Sequence, residues 1–140
     1  MIQYIEERII QVSDQKVFEI ISDFSSYSKW NKWIHIAEEN ADGTVTVKTT
    51  IKGKEKTFQH KMIEATSPHT FHWCDLGWFT KLAFGQRIRH IEKISENECR
   101  YRCELRVEGI AEKLANKSHG AFMREGMKKE ADSLKLYAES

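Results

Sequence analysis

Apolar and polar residues alternate with a period of two through most of residues 44–108, and from Ile110 the period lengthens to that of a helix. The chain therefore reads as a series of strands closed by one long helix. Residues 2–12 form an opening β-rich run, after which Ser13 or Asp14 caps a short helix with Val17, Phe18, Ile20 and Ile21 on its apolar face. A second short helical or irregular segment, DFSSYSKW, ends near Trp30. A strand near 33–39 then runs to a turn at Asp42-Gly43, where glycine accepts a positive φ at little cost.

Residues 44–52 carry Val45, Val47, Thr49 and Ile51 on one face. A two-residue turn at Gly53-Lys54 sets Thr49 opposite Phe58, Val47 opposite His60 and Val45 opposite Met62, and the apolar faces match in that register. Ser67-Pro68 marks the next turn, and a loop at 66–69 places Met62 across from Trp73, with Phe71 on the same face. The segment CDLGWFTKLAFG is apolar but irregular and reads as a loop. In the last hairpin Cys99, Tyr101, Cys103, Leu105 and Val107 alternate with charged residues. A polar turn at 95–98 pairs them with Ile94, Glu92, His90, Ile88 and Gln86, which makes those the inward residues of the preceding strand.

In the final helix Ala111, Leu114, Ala115, Ser118 and Phe122 form one stripe, and Met123, Met127, Ala131, Leu134 and Ala138 form another, rotated stripe. The change falls around Gly120 and Gly126, both costly inside a helix, and predicts a bend or offset there.

Composition adds limits. With 140 residues, 40% hydrophobic residues, one proline and no repeat or linker, the pattern is that of one domain, 1–140. The net charge of +1 gives no global attraction to DNA or membrane. The opening MIQYIEERIIQV interrupts every apolar run with charge, so it reads as neither signal peptide nor membrane span. Three cysteines without a repeated spacing fit a reducing compartment, which makes a cytoplasmic location the simplest expectation.

The order strand, two short helices, six strands, long helix resembles the START-like superfamily (SRPBCC), which includes the birch-pollen-allergen fold and polyketide cyclases. IQVSDQKV (Ile10 to Val17) is similar to that group's I-x-A-P-x-E-x-V segment, with Val12-Ser13 in place of Ala-Pro. Trp30-Asn31-Lys32-Trp33 resembles its W-x-x-W signature, VEGIAEKL its strand-closing glycine, and LKLYAE its ending. The resemblance covers essentially the whole chain. It implies an α+β helix-grip fold: a seven-stranded curved antiparallel sheet around a long C-terminal helix, with two short helices after the first strand. It also implies a cavity between sheet and helix, but it supplies no reaction.

Residues on the inward faces then become candidates for that cavity. Phe58, Met62, Phe71, Trp73, Phe84 and Tyr101 come from strands, and Phe122, Met123 and Met127 from the helix, where methionines adapt to apolar shapes. Trp30 and Trp33 are candidates either to gate the cavity mouth or to seal the junction of short helices and sheet, the seal being favoured for Trp33, and Trp78 and Phe79 lie in an expected loop at the entrance. His60, His90 and Glu92 share the inward parity, with Tyr101 across from Glu92. Such groups either pair structurally or orient and protonate a ligand. Glu6 and Arg8 form a possible inward pair of the first strand.

His69, His72 and Cys74 lack the facing and the second cluster of a metal site, and no nucleotide fingerprint is present, so neither metal nor cofactor is expected. Of the thiols, Cys74 is the one with prospects of exposure. Arg87, Arg89, Lys93, Arg100, Arg102 and Arg106 are expected on the outward face, where a solvated surface is the default and contact with a ribosome or other partner the sharper alternative.

The sequence thus points to binding of an apolar or amphipathic small molecule of lipid, polyketide or isoprenoid type. The alternatives are a cyclase or dehydratase with a His/Glu pair, and an adaptor using its outer face.

Overall fold

A computed structural model describes residues 1–140. Seven antiparallel strands form one sheet in the order β1-β7-β6-β5-β4-β3-β2: β1 Ile2–Ile10, β2 Ile34–Glu39, β3 Thr44–Ile51, β4 Lys54–Thr66, β5 Thr70–Asp75, β6 Phe84–Ser95 and β7 Glu98–Glu108. Two short helices, α1 (Asp14–Ser22) and α2 (Tyr27–Trp30), follow β1 and are joined by a 3-10 turn at Phe24–Ser26. A single uninterrupted helix, α3 (Glu112–Glu139), lies against β1 and β7. This is the helix-grip architecture the sequence predicts. Ser13 caps α1, its Oγ accepting from the Lys16 N–H at 3.1 Å, as its side-chain chemistry requires.

Two registers differ from the expected ones. The β3–β4 turn is Lys52-Gly53, not Gly53-Lys54. Both residues have positive φ (51° and 79°), the backbone of a type I′ turn. Val47 therefore faces Phe58, and Val45 faces His60. A slip of two residues keeps every side chain on its face, so Phe58 and His60 still point inward.

The β6–β7 hairpin is different. Ser95 pairs with Glu98 as expected, but the register shifts between Lys93 and Ser95, so Lys93 faces Cys99 and Ile91 faces Tyr101. The extra residue is Ile94. It inverts the faces of all of β6 before it, since one inserted residue exchanges inside for outside. Gly85, Arg87, Arg89 and Ile91 face the interior, whereas Phe84, His90 and Glu92 face away.

The interior has a filled end and an open end. Ile10, Val17, Tyr27, Trp30, Phe71, Trp73, Tyr101, Met127 and Leu134 pack the end beneath α1 and α2. The glycines of α3 serve close approach rather than a break in the helix. A Cβ at Gly126 would overlap the Trp33 indole, and one at Gly120 would crowd Tyr4 Oη and Asn116. Trp33 thus lies against the helix backbone, only 8% exposed. The first half of α3 stands off: Leu114 and Ser118 of its predicted stripe are exposed.

Candidate functional site

At the open end a cavity of about 730 Å³ lies between the sheet and the first half of α3. Trp33, Val47, Arg87 and Leu105 are buried residues of its floor. Ala115, Phe122 and Met123 of α3 form one wall, and Phe58 and Phe79 stand partly exposed at the rim. Most of the lining is apolar, as a concave site for a small molecule requires. A second, shallower depression of about 400 Å³ between α1 and the end of α3 is lined mainly by polar side chains such as Lys16, Glu19 and Asp23.

Of the residues expected to line a cavity, Phe58, His60, Phe122 and Met123 do so. Trp73 (1% exposed), Phe71, Tyr101 and Met127 lie in the packed end, beyond the lining, and Met62 packs partly buried against them. Trp30 is no gate: its ring stacks on Tyr137 at 6.3 Å and its Nε1 donates to Ser26 Oγ at 3.0 Å. Phe84, His90 and Glu92 leave the interior because of the Ile94 bulge, and exposed Glu92 pairs with Arg100 at 3.3 Å. No inward His90–Cys103 or Glu92–Tyr101 pair exists. Trp33, for which a seal is the favoured expectation, also lines the cavity. Trp78 and Phe79 sit on a 3-10 turn at Trp78–Lys81. Phe79 reaches the cavity and Trp78 is 81% exposed. Glu6 and Arg8 do pair, at 2.8 Å.

The polar side of the cavity is built from neighbouring strands. His60 on β4 and Asp75 on β5 are direct cross-strand partners, with His60 Nδ1 3.3 Å from Asp75 Oδ1. Trp73, two residues before Asp75, lies parallel to the imidazole with ring centroids 5.2 Å apart and so fixes its plane. Space for the Asp75 carboxylate comes from Gly85, where a Cβ would overlap Oδ2. The sequence reading placed Asp75 in a loop, but β5 continues through it.

Deeper in, Arg87 and Arg89 meet one carboxylate, Glu130 of α3, at 2.5 and 2.7 Å. Asn31 donates to the other Glu130 oxygen at 2.9 Å, while its own Oδ1 accepts from the Trp33 and Ile34 N–H groups. The guanidinium of Arg87 lies 4.7 Å from the Trp33 ring and 5.5 Å from Trp73, and Arg89 lies 4.8 Å from Trp73, within cation–π range. Burial opposes ionisation of Glu130, yet the two guanidiniums and the Asn31 amide overcome it and bring its pKa down to about 2. Burial likewise opposes charge on the arginines, but Glu130 outweighs it and holds Arg89 well above its ordinary value. Burial drives the phenol of Tyr27 up to about 12 and raises that of Tyr101 as well, so both stay neutral.

The bulge takes Arg87, Arg89 and Lys93 off the outer face, and Lys93, at the exposed end of β6, pairs with Glu96 at 2.9 Å. The three cations that remain each contact a carboxylate: Arg100–Glu92 3.3 Å, Arg102–Glu104 3.4 Å and Arg106–Glu104 2.5 Å. All three cysteines are buried, Cys74 included. No helix is long and apolar enough to cross a membrane.

This arrangement of sheet, grip helix and intervening cavity is the START-like fold. Solved structures agree at the level of fold. A di-domain aromatase/cyclase, BexL of the BE-7585A biosynthetic pathway, superposes with a TM-score of 0.78 at 8% identity over 100% of this chain. The chain spans 48% of that protein, about half its length. A START superfamily protein from Mycobacterium smegmatis matches with a TM-score of 0.73 at 15% identity, covering 98% of this chain and 97% of that one. The Zhui aromatase/cyclase from Streptomyces sp. R1128 gives 0.76 at 10% identity, covering 99% and 93%. No family model matches the sequence, and no curated protein matches it.

Proposed function

We propose that the protein binds an apolar or amphipathic small molecule, of lipid, polyketide or isoprenoid type, in the cavity beneath the first half of α3. The observation that carries this is the cavity of about 730 Å³, apolar over most of its lining and open at a rim that includes Phe58 and Phe79. Burial of apolar ligand surface, at roughly 25 cal/mol per Å², supplies the driving force. Two of the solved structures with this fold are aromatase/cyclases, which supports the ligand class. The 140 residues act as one domain, and three buried, unpaired thiols favour a cytoplasmic setting.

A second reading, acid–base catalysis on the bound molecule, draws on the His60–Asp75 pair, whose Nδ1 and Oδ1 lie 3.3 Å apart beside the cavity. It replaces the expected His/Glu pair, because Glu92 faces solvent.

Native mass spectrometry of protein purified from its native host, followed by extraction of any bound molecule, tests the binding. A recurrent amphipathic adduct that weakens in a Met123→Trp variant, whose indole narrows the cavity, is the expected result. A clean apo mass that stays clean after incubation with a lipid and polyketide panel refutes it.

A further inference from the structure

The buried polar atoms without a hydrogen-bond partner are unevenly distributed. They are Trp33 Nε1, His60 Nδ1, Trp73 Nε1, Arg87 Nε, Arg89 Nε and Tyr101 Oη. Four of the six are N–H groups that can only donate, and all four belong to the two arginines and the tryptophans against them. Formal charge is also one-sided there: Arg87 and Arg89 face the single carboxylate of Glu130, two positive charges against one negative. Buried donors normally find an acceptor, and a buried cation normally finds a counter-charge. Asp75 does not supply it, since it contacts neither arginine and its nearest recorded partner is His60 at 3.3 Å.

Of these residues Arg87 and Trp33 line the cavity, but Trp33 Nε1 itself lies against the α3 backbone at Gly126, so Arg87 carries the polar contact. Arg87 is 6% exposed and commits Nη2 to Glu130 and Cys103, leaving Nη1 uncommitted. A guanidinium N–H suits a carboxylate oxygen. An excess of one positive charge calls for one negative charge, and the carboxylates of Asp75 and Glu130 nearby disfavour a dianion. Lys56 and His119, also in the lining, put further cationic or donor groups along the way in.

We propose that the ligand is an amphipathic monocarboxylate whose acid group docks on Arg87 while its apolar body lies along Val47, Leu105, Phe122 and Met123. This deepens the binding function above and rests on it. The apolar wall provides affinity for the body, and Arg87 makes the site choose an acid over the corresponding alcohol or ester.

The test compares dodecanoate, dodecanol and methyl dodecanoate by isothermal titration calorimetry at pH 7. Dodecanoate is expected to bind at least tenfold more tightly than either neutral analogue. Arg87→Met, which leaves Arg89 and Glu130 as a one-to-one pair, is expected to bring dodecanoate down to the affinity of dodecanol without weakening dodecanol. The wild-type comparison needs no variant. Equal affinity for acid and alcohol in the wild-type protein overturns the acid preference and leaves the apolar cavity standing, as does an Arg87→Met variant that keeps the preference. Binding of none of the three overturns the cavity function and the acid preference together.

Discussion

Replacing Glu130 by glutamine preserves the shape of the side chain and removes its charge, leaving Arg87 and Arg89 buried without a carboxylate. Breaking a buried ion pair by removing one partner costs about 3–5 kcal/mol. An independent route gives a similar figure. A carboxyl whose pKa falls from 4.5 to about 2 on folding contributes about 3 kcal/mol at neutral pH, at 1.36 kcal/mol per pKa unit. With an unfolding entropy of roughly 2.1 cal/mol/K per residue, a chain of this size should lose about 10–15 °C in Tm. Because the folded pKa is the lower one, this stabilisation is complete above about pH 4.5 and disappears as pH falls towards 2. Urea unfolding followed by tryptophan fluorescence should therefore show a gap of about 3–5 kcal/mol between wild type and Glu130→Gln at pH 7 that narrows between pH 4.5 and 2. A gap below about 1 kcal/mol at pH 7, or one unchanged at pH 2.5, refutes the description of Glu130 as the buried counter-ion.

Other consequences follow from the same contacts. Arg87→Met removes the surplus cation and should cost less than half of what Glu130→Gln costs in the same urea experiment; an equal or larger loss contradicts the charge imbalance. Gly126→Ala gains about 1 kcal/mol of helix propensity but forces a methyl group into Trp33, so a net loss of about 1–3 kcal/mol is expected in thermal melts. A stabilised Gly126→Ala protein would mean that Trp33 is free to move. Gly85→Ala meets only the mobile end of Asp75, so stability should change little while the imidazole NMR signals of His60 shift as the carboxylate is pushed aside. Unchanged His60 signals would show that Asp75 does not need the space over Gly85. Met123→Trp narrows the cavity where the apolar body of the ligand lies and should lower ligand affinity with Tm held or raised, measured by calorimetry and melting on the same protein.

The order of elements is legible in the sequence because each strand of this sheet has one buried and one solvated face, and period-two alternation records that. The Ser13 cap and the Met62–Trp73 pairing are legible for similar local reasons. The β3–β4 turn shows a tolerant error, since a slip of two residues leaves the faces unchanged. The Ile94 bulge shows an intolerant one. Arg87 and Arg89 look like surface residues, Ile88 looks like core, and nothing local in FGQRIRHIEKIS marks the inserted residue.

One signal for the buried arginines was available. Glu130 falls on the same helix face as Met127 and Leu134, three residues before and four after, and a carboxylate in the middle of an apolar stripe requires cations across from it. Asp75 was hidden for another reason: the apolar run around it resembles a loop, and only the pairing of β5 with β4 brings it to His60.

The most direct test of the account is methyl NMR of the protein titrated with dodecanoate. Methyl signals of Val47, Leu105, Val107 and Met123, all in the cavity lining, should move together and saturate at one equivalent, while Leu134 in the packed end stays near its starting position. Saturable shifts confined to Ile20 and its neighbours, beside the polar depression between α1 and α3, would contradict the assignment of the cavity under α3 as the binding site. So would the absence of any saturable shift.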